Sequence, residues 1–229
     1  MFVFVQSMWS KSEINADSNY VVWSQFVKAA SKLRPDVHWL VMFPDDKSGF
    51  KYENDGFFSL PNVTRIPQRV PIRRTANAVN FPAEWYEKLF RSYAFDAVWS
   101  HLPEVSAQIK ASGRTTREDI SKPTVVSQHN YVVHRSLPYE FHGHLAFMEL
   151  MGAACSDANV FNTEHCKSMF DDIANEHIVP NIRKQIEAKS YLIPYGTLEP
   201  ELGIDKKRKD NKVPIIAYNH RLLTHKRYG

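Results

Sequence analysis

FDAVWSHLPEVSAQIKASGRTTREDISKPTVVSQHN, residues 95–130, decides the fold of this chain. Phe95–His101 is a short apolar run of strand length, Pro103 stands where a helix opens, and Pro123–Asn130 is a second apolar run. A strand, a helix and a second strand in that order make a crossover unit, which places the two strands parallel in one sheet.

The same alternation extends in both directions. Toward the amino terminus the sequence predicts a helix over Pro82–Tyr93, a short strand at Val63–Ile66 and a second strand at Val37–Phe43 closed by Pro44 and Asp45. Between the last two, Asp45–Phe58 is polar and contains glycine, a loop or hairpin. Helical spacing of Val22, Phe26, Ala29, Ala30 and Leu33 predicts a helix over Ser18–Leu33, ended by Pro35, and Phe2–Ser7 reads as the first strand. Toward the carboxyl terminus follow an amphipathic helix from about Glu140 to Cys155 and a strand within Asp157–Thr163. Asn162 or Thr163 is placed to cap the next helix. A long polar helical region with a break at Pro180 leads to a last strand at Ser190–Pro194. The expected class is α/β, a Rossmann-like parallel sheet with helices on both faces. Residues 1–198 form that domain, Glu199–Lys212 with its KKRKD run is a solvated linker, and Val213–Asn219 is a further buried strand that opens a second domain.

Composition bounds the function. With 43% hydrophobic and 13% aromatic residues the chain can bury a core, so it is globular and not disordered. No apolar run approaches the roughly 18 residues that a membrane span needs. MFVFVQSMW lacks a basic leader and a small-residue cleavage site, and reads as a strand. Cys155 and Cys166 alone do not make a disulfide framework, and a reducing cytoplasm fits. A net charge of +4 is too mild to demonstrate a nucleic-acid partner, so the distribution of charge matters more than its sum.

Ligands of open parallel sheets sit beyond the carboxyl ends of the strands. That rule selects Ser7, Trp9, Lys11 and Asp17 after the first strand, Ser100 and His101 after Phe95–Trp99, and Gln128, His129 and Asn130 after the next. Asn162, Thr163 and Glu164 follow the sixth strand. Two histidines at neighbouring strand ends suit hydrogen bonding to a hydroxylated substrate, or general-base work near neutral pH. Either one alone is equally well read as a loop cap. His142, His144 and Glu149 do not converge on a metal, because a helical spacing of two residues splays the side chains. CxxC, HExxH, a GxSxG elbow and a glycine-rich phosphate loop after the first strand are all absent, which argues against a standard dinucleotide-binding domain.

RIPQRVPIRR carries Arg65, Arg69, Arg73 and Arg74 inside a span, Gly56–Ala83, that has no acidic residue. Pro67 and Pro71 predict an extended basic loop near the crevice. Arginine without lysine suits phosphate contact, although a solvated loop paired with distant acids explains the charge equally well. In VPIIAYNHRLLTHKRYG, residues 213–229, Arg221 and Lys226 stand in the turn after a strand, well placed to hold a diphosphate at a helix N-terminus.

DANVFNTEHCKSMF, YLIPYGTLEPEL and YNHRLLTHKRYG together resemble the amino-terminal half of a GT-B glycosyltransferase of the family 4-like kind, including the first strand and loop of its second domain. Arg221 and Lys226 match the family's Arg and Lys in type and spacing, whereas His220 replaces a usual glycine and Arg227 follows the lysine where glycine is usual. MWSKSEINAD stands where the family often has a glycine pair. The resemblance implies a nucleotide-sugar donor (UDP- or GDP-sugar) held by Arg221 and Lys226, no permanently bound cofactor and no metal. It also implies an acceptor held by the first domain, where Trp9, Lys11, Asn130 and the four arginines are the candidates. His129 occupies the position of a family histidine that faces the sugar. If the reaction inverts, His101, His129 or Asp17 is the candidate base; if it retains, the leaving phosphate takes the acceptor proton. The donor-gripping acidic residues of such enzymes would lie after Gly229, so the expectation is a truncated or split enzyme that needs its second domain or a partner chain.

The arginine-rich segment makes a modified base in phage-type DNA the preferred acceptor, acting in the host cytoplasm, with a flipped base. A lipid or cell-surface glycan acceptor is the alternative. A non-catalytic nucleic-acid-binding or scaffold subunit is the second class of reading.

Overall fold

The structure is a computed structural model that describes residues 1–6, 18–44, 59–68, 73–75, 78–80, 83–115, 123–129 and 139–194. Met1–Pro194 make up one compact unit. The linker, the terminal strand and the loop at residues 45–58 lie outside the described residues.

Seven strands form one sheet in the order β3-β2-β1-β6-β7-β8-β9, every neighbouring pair parallel. They are β1 Phe2–Gln6, β2 His38–Pro44, β3 Val63–Gln68, β6 Ala97–Ser100, β7 Thr124–His129, β8 Ala158–Phe161 and β9 Ser190–Leu192. A separate antiparallel pair, β4 Arg73–Thr75 and β5 Ala78–Asn80, lies between β3 and the second helix. The helices are α1 Ser18–Leu33, α2 Ala83–Ser92, α3 Pro103–Thr115, α4 Tyr139–Cys155, α5 Glu164–His177 and α6 Pro180–Glu187. The fold is the expected Rossmann-like α/β arrangement.

The chain starts in the middle of the sheet, grows outward through β2 and β3, then returns across β1 and grows the other way. Right-handed crossovers send the connections of the two halves to opposite faces. The cores follow that rule. On one face Val3, Val5, Trp39, Val41, Val63 and Trp99 pack with Val27 of α1. On the other, Phe4, Leu40, Met42, Ile66, Val98 and Val125 meet Tyr86, Leu89 and Phe90 of α2 and Val105 and Ile109 of α3. Beyond them Phe161 of β8 packs among Ala146 and Leu150 of α4, Phe170 and Ile173 of α5, and Ile186 of α6. Strands flanked on both faces need continuous apolar runs, and HWLVMF and FVFV supply them.

Local chemistry sets the boundaries. Thr163, of the two expected caps, is the one used: extended at φ −147°, its side chain accepts a hydrogen bond from the Cys166 amide at 3.0 Å. Pro180 begins α6 and divides the polar helical region in two, since a proline at the first turn forfeits no intrahelical bond. The basic segment differs from the loop expected of it. Arg65 belongs to β3, and Arg73 and Arg74 pair with Asn80 and Val79 in the β4–β5 ribbon. Pro67 is tolerated because β3 is the edge strand, where one side of the backbone needs no sheet partner. The ribbon's β5 packs against α3 and α4. Among the described residues, no helix is long and apolar enough to cross a membrane.

Candidate functional site

The direction of growth reverses between β1 and β6, where Gln6 pairs with Ser100. In open parallel sheets this reversal parts the loops above adjacent strands and leaves a crevice for ligands. The turn that leaves β6 there is held by its own serine. Ser100 Oγ donates to the Leu102 carbonyl at 2.9 Å and accepts from the Leu102 amide at 3.3 Å. Pro103 then starts α3.

His101, on that turn, is fully buried with its ring 4.3 Å from that of Trp99. Burial pushes its pKa down to about 3, so the imidazole is neutral at any physiological pH. His129 ends β7 and is also fully buried. Its Nδ1 lies 2.9 Å from Glu149 Oε1 of α4, and its Nε2 lies 3.3 Å from Asn159 Oδ1 of β8. The ring stacks on Phe161 at 4.5 Å and meets the edge of Phe170 at 5.3 Å. Its own carbonyl accepts from Cys166 Sγ of α5 at 3.5 Å.

Proton positions in this network follow from the amide. Asn159 Nδ2 donates to the Ala153 carbonyl at 3.1 Å, which fixes Oδ1 as the acceptor toward His129. Nε2 therefore carries hydrogen, and one further proton lies between Nδ1 and Glu149. Parallel register brings the partners together: Ser127 and His129 pair with Asn159 and Phe161, so all four share one face beneath α3 and α4. One layer down, Ser106 Oγ of α3 donates to Ser127 Oγ at 3.1 Å.

A second carboxyl borders this network. Glu104, in the first turn of α3, is 6% exposed. Burial pushes its pKa up to about 7, a backbone hydrogen bond opposes the rise, and the charge of Glu149 adds to it. A helix N-terminus ordinarily favours the carboxylate, and here the loss of water outweighs it. Glu104 in turn reinforces the effect of burial on Tyr86 of α2, whose hydroxyl is shifted upward. Burial and then Glu149 push the Cys166 thiol up to about 12, so it is an inert thiol and not a nucleophile. The helices meet closely at this point, because a Cβ added to Gly152 of α4 would come within 1.9 Å of the Pro103 carbonyl oxygen.

The sequence-selected residues divide into two sets. His101 and His129 are brought to adjacent strand ends, yet both lie beneath the surface and are held by protein groups. The backbones of Arg65, Arg73 and Arg74 are placed on β3 and β4. Trp9, Lys11, Asp17, Asn130, Arg69, Arg221 and Lys226 lie outside the described residues. Among the described residues no group of three or more His, Cys, Asp or Glu could hold a metal ion; Glu149, weighed for a metal in the sequence, turns instead to His129.

Sequence reasoning passed over Glu104, Asn159 and Tyr86. Asn159 left a signal, since it interrupts the short apolar strand Ala158–Phe161. Glu104 left none, because an acid in the first turn of a helix ordinarily faces water. Compared with protein-family models and with curated proteins, the chain matches none.

Proposed function

We propose that this chain carries the acceptor-side domain of a glycosyltransferase that draws on a nucleotide-sugar donor. One observation carries the reading most: the sheet reverses direction between β1 and β6, at the strand ends after which the sequence concentrates Trp9, Lys11, Asp17 and His101, with Asn130 after the adjoining β7. The resemblance of the terminal segment, with Arg221 and Lys226 at the spacing of a diphosphate clamp, supports a donor of the UDP- or GDP-sugar class. The two cations would offset the charge that develops on the leaving diphosphate. The arginines on and around β3 and β4 support an acceptor that bears phosphate, with a hydroxylated base in DNA as the first choice and a lipid-linked or surface glycan as the alternative.

Calorimetric titration with UDP, GDP and their sugar conjugates tests the donor. One of them is expected to bind, with binding lost in Arg221→Ala and in Lys226→Ala. Full binding in both variants would remove the clamp from the reading. Transfer is then assayed with hydroxymethylated DNA, plain DNA and a lipid-linked acceptor in parallel, with and without a supplied second domain.

A second reading is favoured by one observation, that both described candidate bases are buried and engaged. A nucleic-acid-binding subunit without catalysis needs neither imidazole at a surface. It predicts DNA binding with a steep salt dependence and no sugar transfer under any of these conditions.

A further inference from the structure

We propose that β9, the last strand of the sheet, is a docking edge for a second copy of this chain, whose own β9 adds antiparallel across a two-fold axis beside Tyr191. The two edges of the sheet are built differently. β3 carries Pro67, and a proline in an edge strand withholds an amide from any incoming strand. β9 and the two residues after it, SYLIP, carry no charge, and the strand itself has no proline. Tyr191, Leu192 and Ile193 are 54%, 44% and 54% exposed, three large apolar side chains in a row at the rim. Lys189, just before the strand, is turned away from it: its ammonium donates to the Ala154 carbonyl at 2.8 Å and to that of Ser156.

Register fixes what the edge can take. In a parallel pair, alternate residues turn both backbone groups toward the neighbouring strand. The Lys189 carbonyl accepts from the Asn159 amide at 2.8 Å, and the Ile193 amide donates to the Phe161 carbonyl at 2.9 Å. Tyr191 is therefore the residue of β9 whose backbone faces β8. The amides and carbonyls of Ser190 and Leu192 point to the outer side, where no strand lies among the described residues. An extended backbone is what matches such a row. Antiparallel about an axis beside Tyr191, Ser190 of one copy meets Leu192 of the other, and each pair exchanges both of its hydrogen bonds. Tyr191 then meets Tyr191 of the second copy in a non-hydrogen-bonded pair, where opposed side chains are closest.

The side chains select the occupant. Tyr191 lies on the face of Val160 and Leu192 on that of Phe161, so the edge is apolar on both faces. A strand that covers both faces must itself be apolar on both, and β9 is such a strand. The uncharged edge also lets two copies of a chain of net charge +4 meet without opposing like charges. The pairing joins two sheets into one and does not depend on the nucleotide-sugar reading.

Sedimentation equilibrium of the full chain, over about 1–300 μM, tests the docking edge; a dissociation constant of micromolar order is expected from so short a strand. Tyr191→Lys and Tyr191→Glu each oppose like charges at the axis and are expected to weaken self-association at least about a hundredfold. Mixed in equal amounts they oppose Lys to Glu, and association should return to within about tenfold of the wild type. A wild type that is monomeric throughout overturns the docking edge, and so does a mixture that stays monomeric while the wild type associates. Should the charged variants fail to fold, cysteine decides. Directly opposed residues of an antiparallel pair lie within disulfide reach, so under oxidised glutathione Tyr191→Cys should form a linked dimer beyond the wild-type background. Ile193→Cys, which falls opposite Lys189 of the second copy, should not. Equal linkage in both, or linkage in neither, overturns the pairing.

Discussion

The two halves of the sheet obey one topological rule and differ in what they bury. On the face that carries α2 and α3, the β2–β1 half presents Leu40, Met42 and Phe4, all apolar and buried. On the same face the β7–β8 half sets Ser127, His129 and Asn159, equally buried and polar, alongside the apolar Val125 and Phe161. A purely structural sheet has no need of the second set, since apolar residues of similar volume fill such positions at no desolvation cost. Polar groups are thus gathered under one side of the reversal point and kept from the other.

The comparison can be broken first on its apolar side. Phe4, fully buried between Phe95 and Trp85, should destabilise the chain by roughly 4–5 kcal/mol when changed to alanine, measured by urea denaturation. On the polar side Glu149→Ala leaves a buried imidazole without its partner, and a loss of roughly 3–4 kcal/mol is expected. The joint replacement His129→Leu with Glu149→Met should recover most of it. If the double variant is as unstable as the single one, the polar half is needed for stability and the contrast drawn here collapses.

Glu104→Gln sharpens the contrast through pH. A carboxyl whose pKa is raised on folding lowers stability as pH climbs from about 4.5 to about 7, after which the loss is constant. The variant should match the wild type at low pH and exceed it by as much as ~3 kcal/mol above neutrality, as thermal melts across pH would record. Gly152→Ala gains helix propensity but drives a Cβ into the Pro103 carbonyl, which is backbone and cannot swing aside. A net loss of roughly 2 kcal/mol is expected. The smallest effect is Thr163→Ala, about 1 kcal/mol for the lost cap of α5, a change that should leave both halves of the sheet untouched.

Much of the fold was legible in the chain because its signals are local. Apolar runs such as HWLVMF specify strands, Pro103 and Pro180 mark helix starts, and Thr163 announces a cap within three residues of the amide it serves. The arginine segment was harder. Its prolines suggested a loop, and only pairing with Ala78–Asn80 turned Arg73–Thr75 into a strand. Short strands are defined by their partners, and a partner is not visible in the strand's own residues. The candidate site was legible by position and not by environment. Counting strand ends finds His101 and His129, but nothing near them in the sequence tells that Glu149, twenty residues on, reaches back to one of them.

By itself, then, the sequence determined the succession of the strands of the main sheet and of its helices, the parallel α/β class and the end of the sheet where polar residues collect, because periodicity and capping act over a few residues. Only the tertiary structure decided that both histidines are enclosed, that Asn159 orients one of them, and that Glu104 is buried where the charge of Glu149 reaches it. Burial and charge pairing depend on residues that are distant along the chain, and no local pattern encodes how much solvent a folded helix will leave beside a carboxylate.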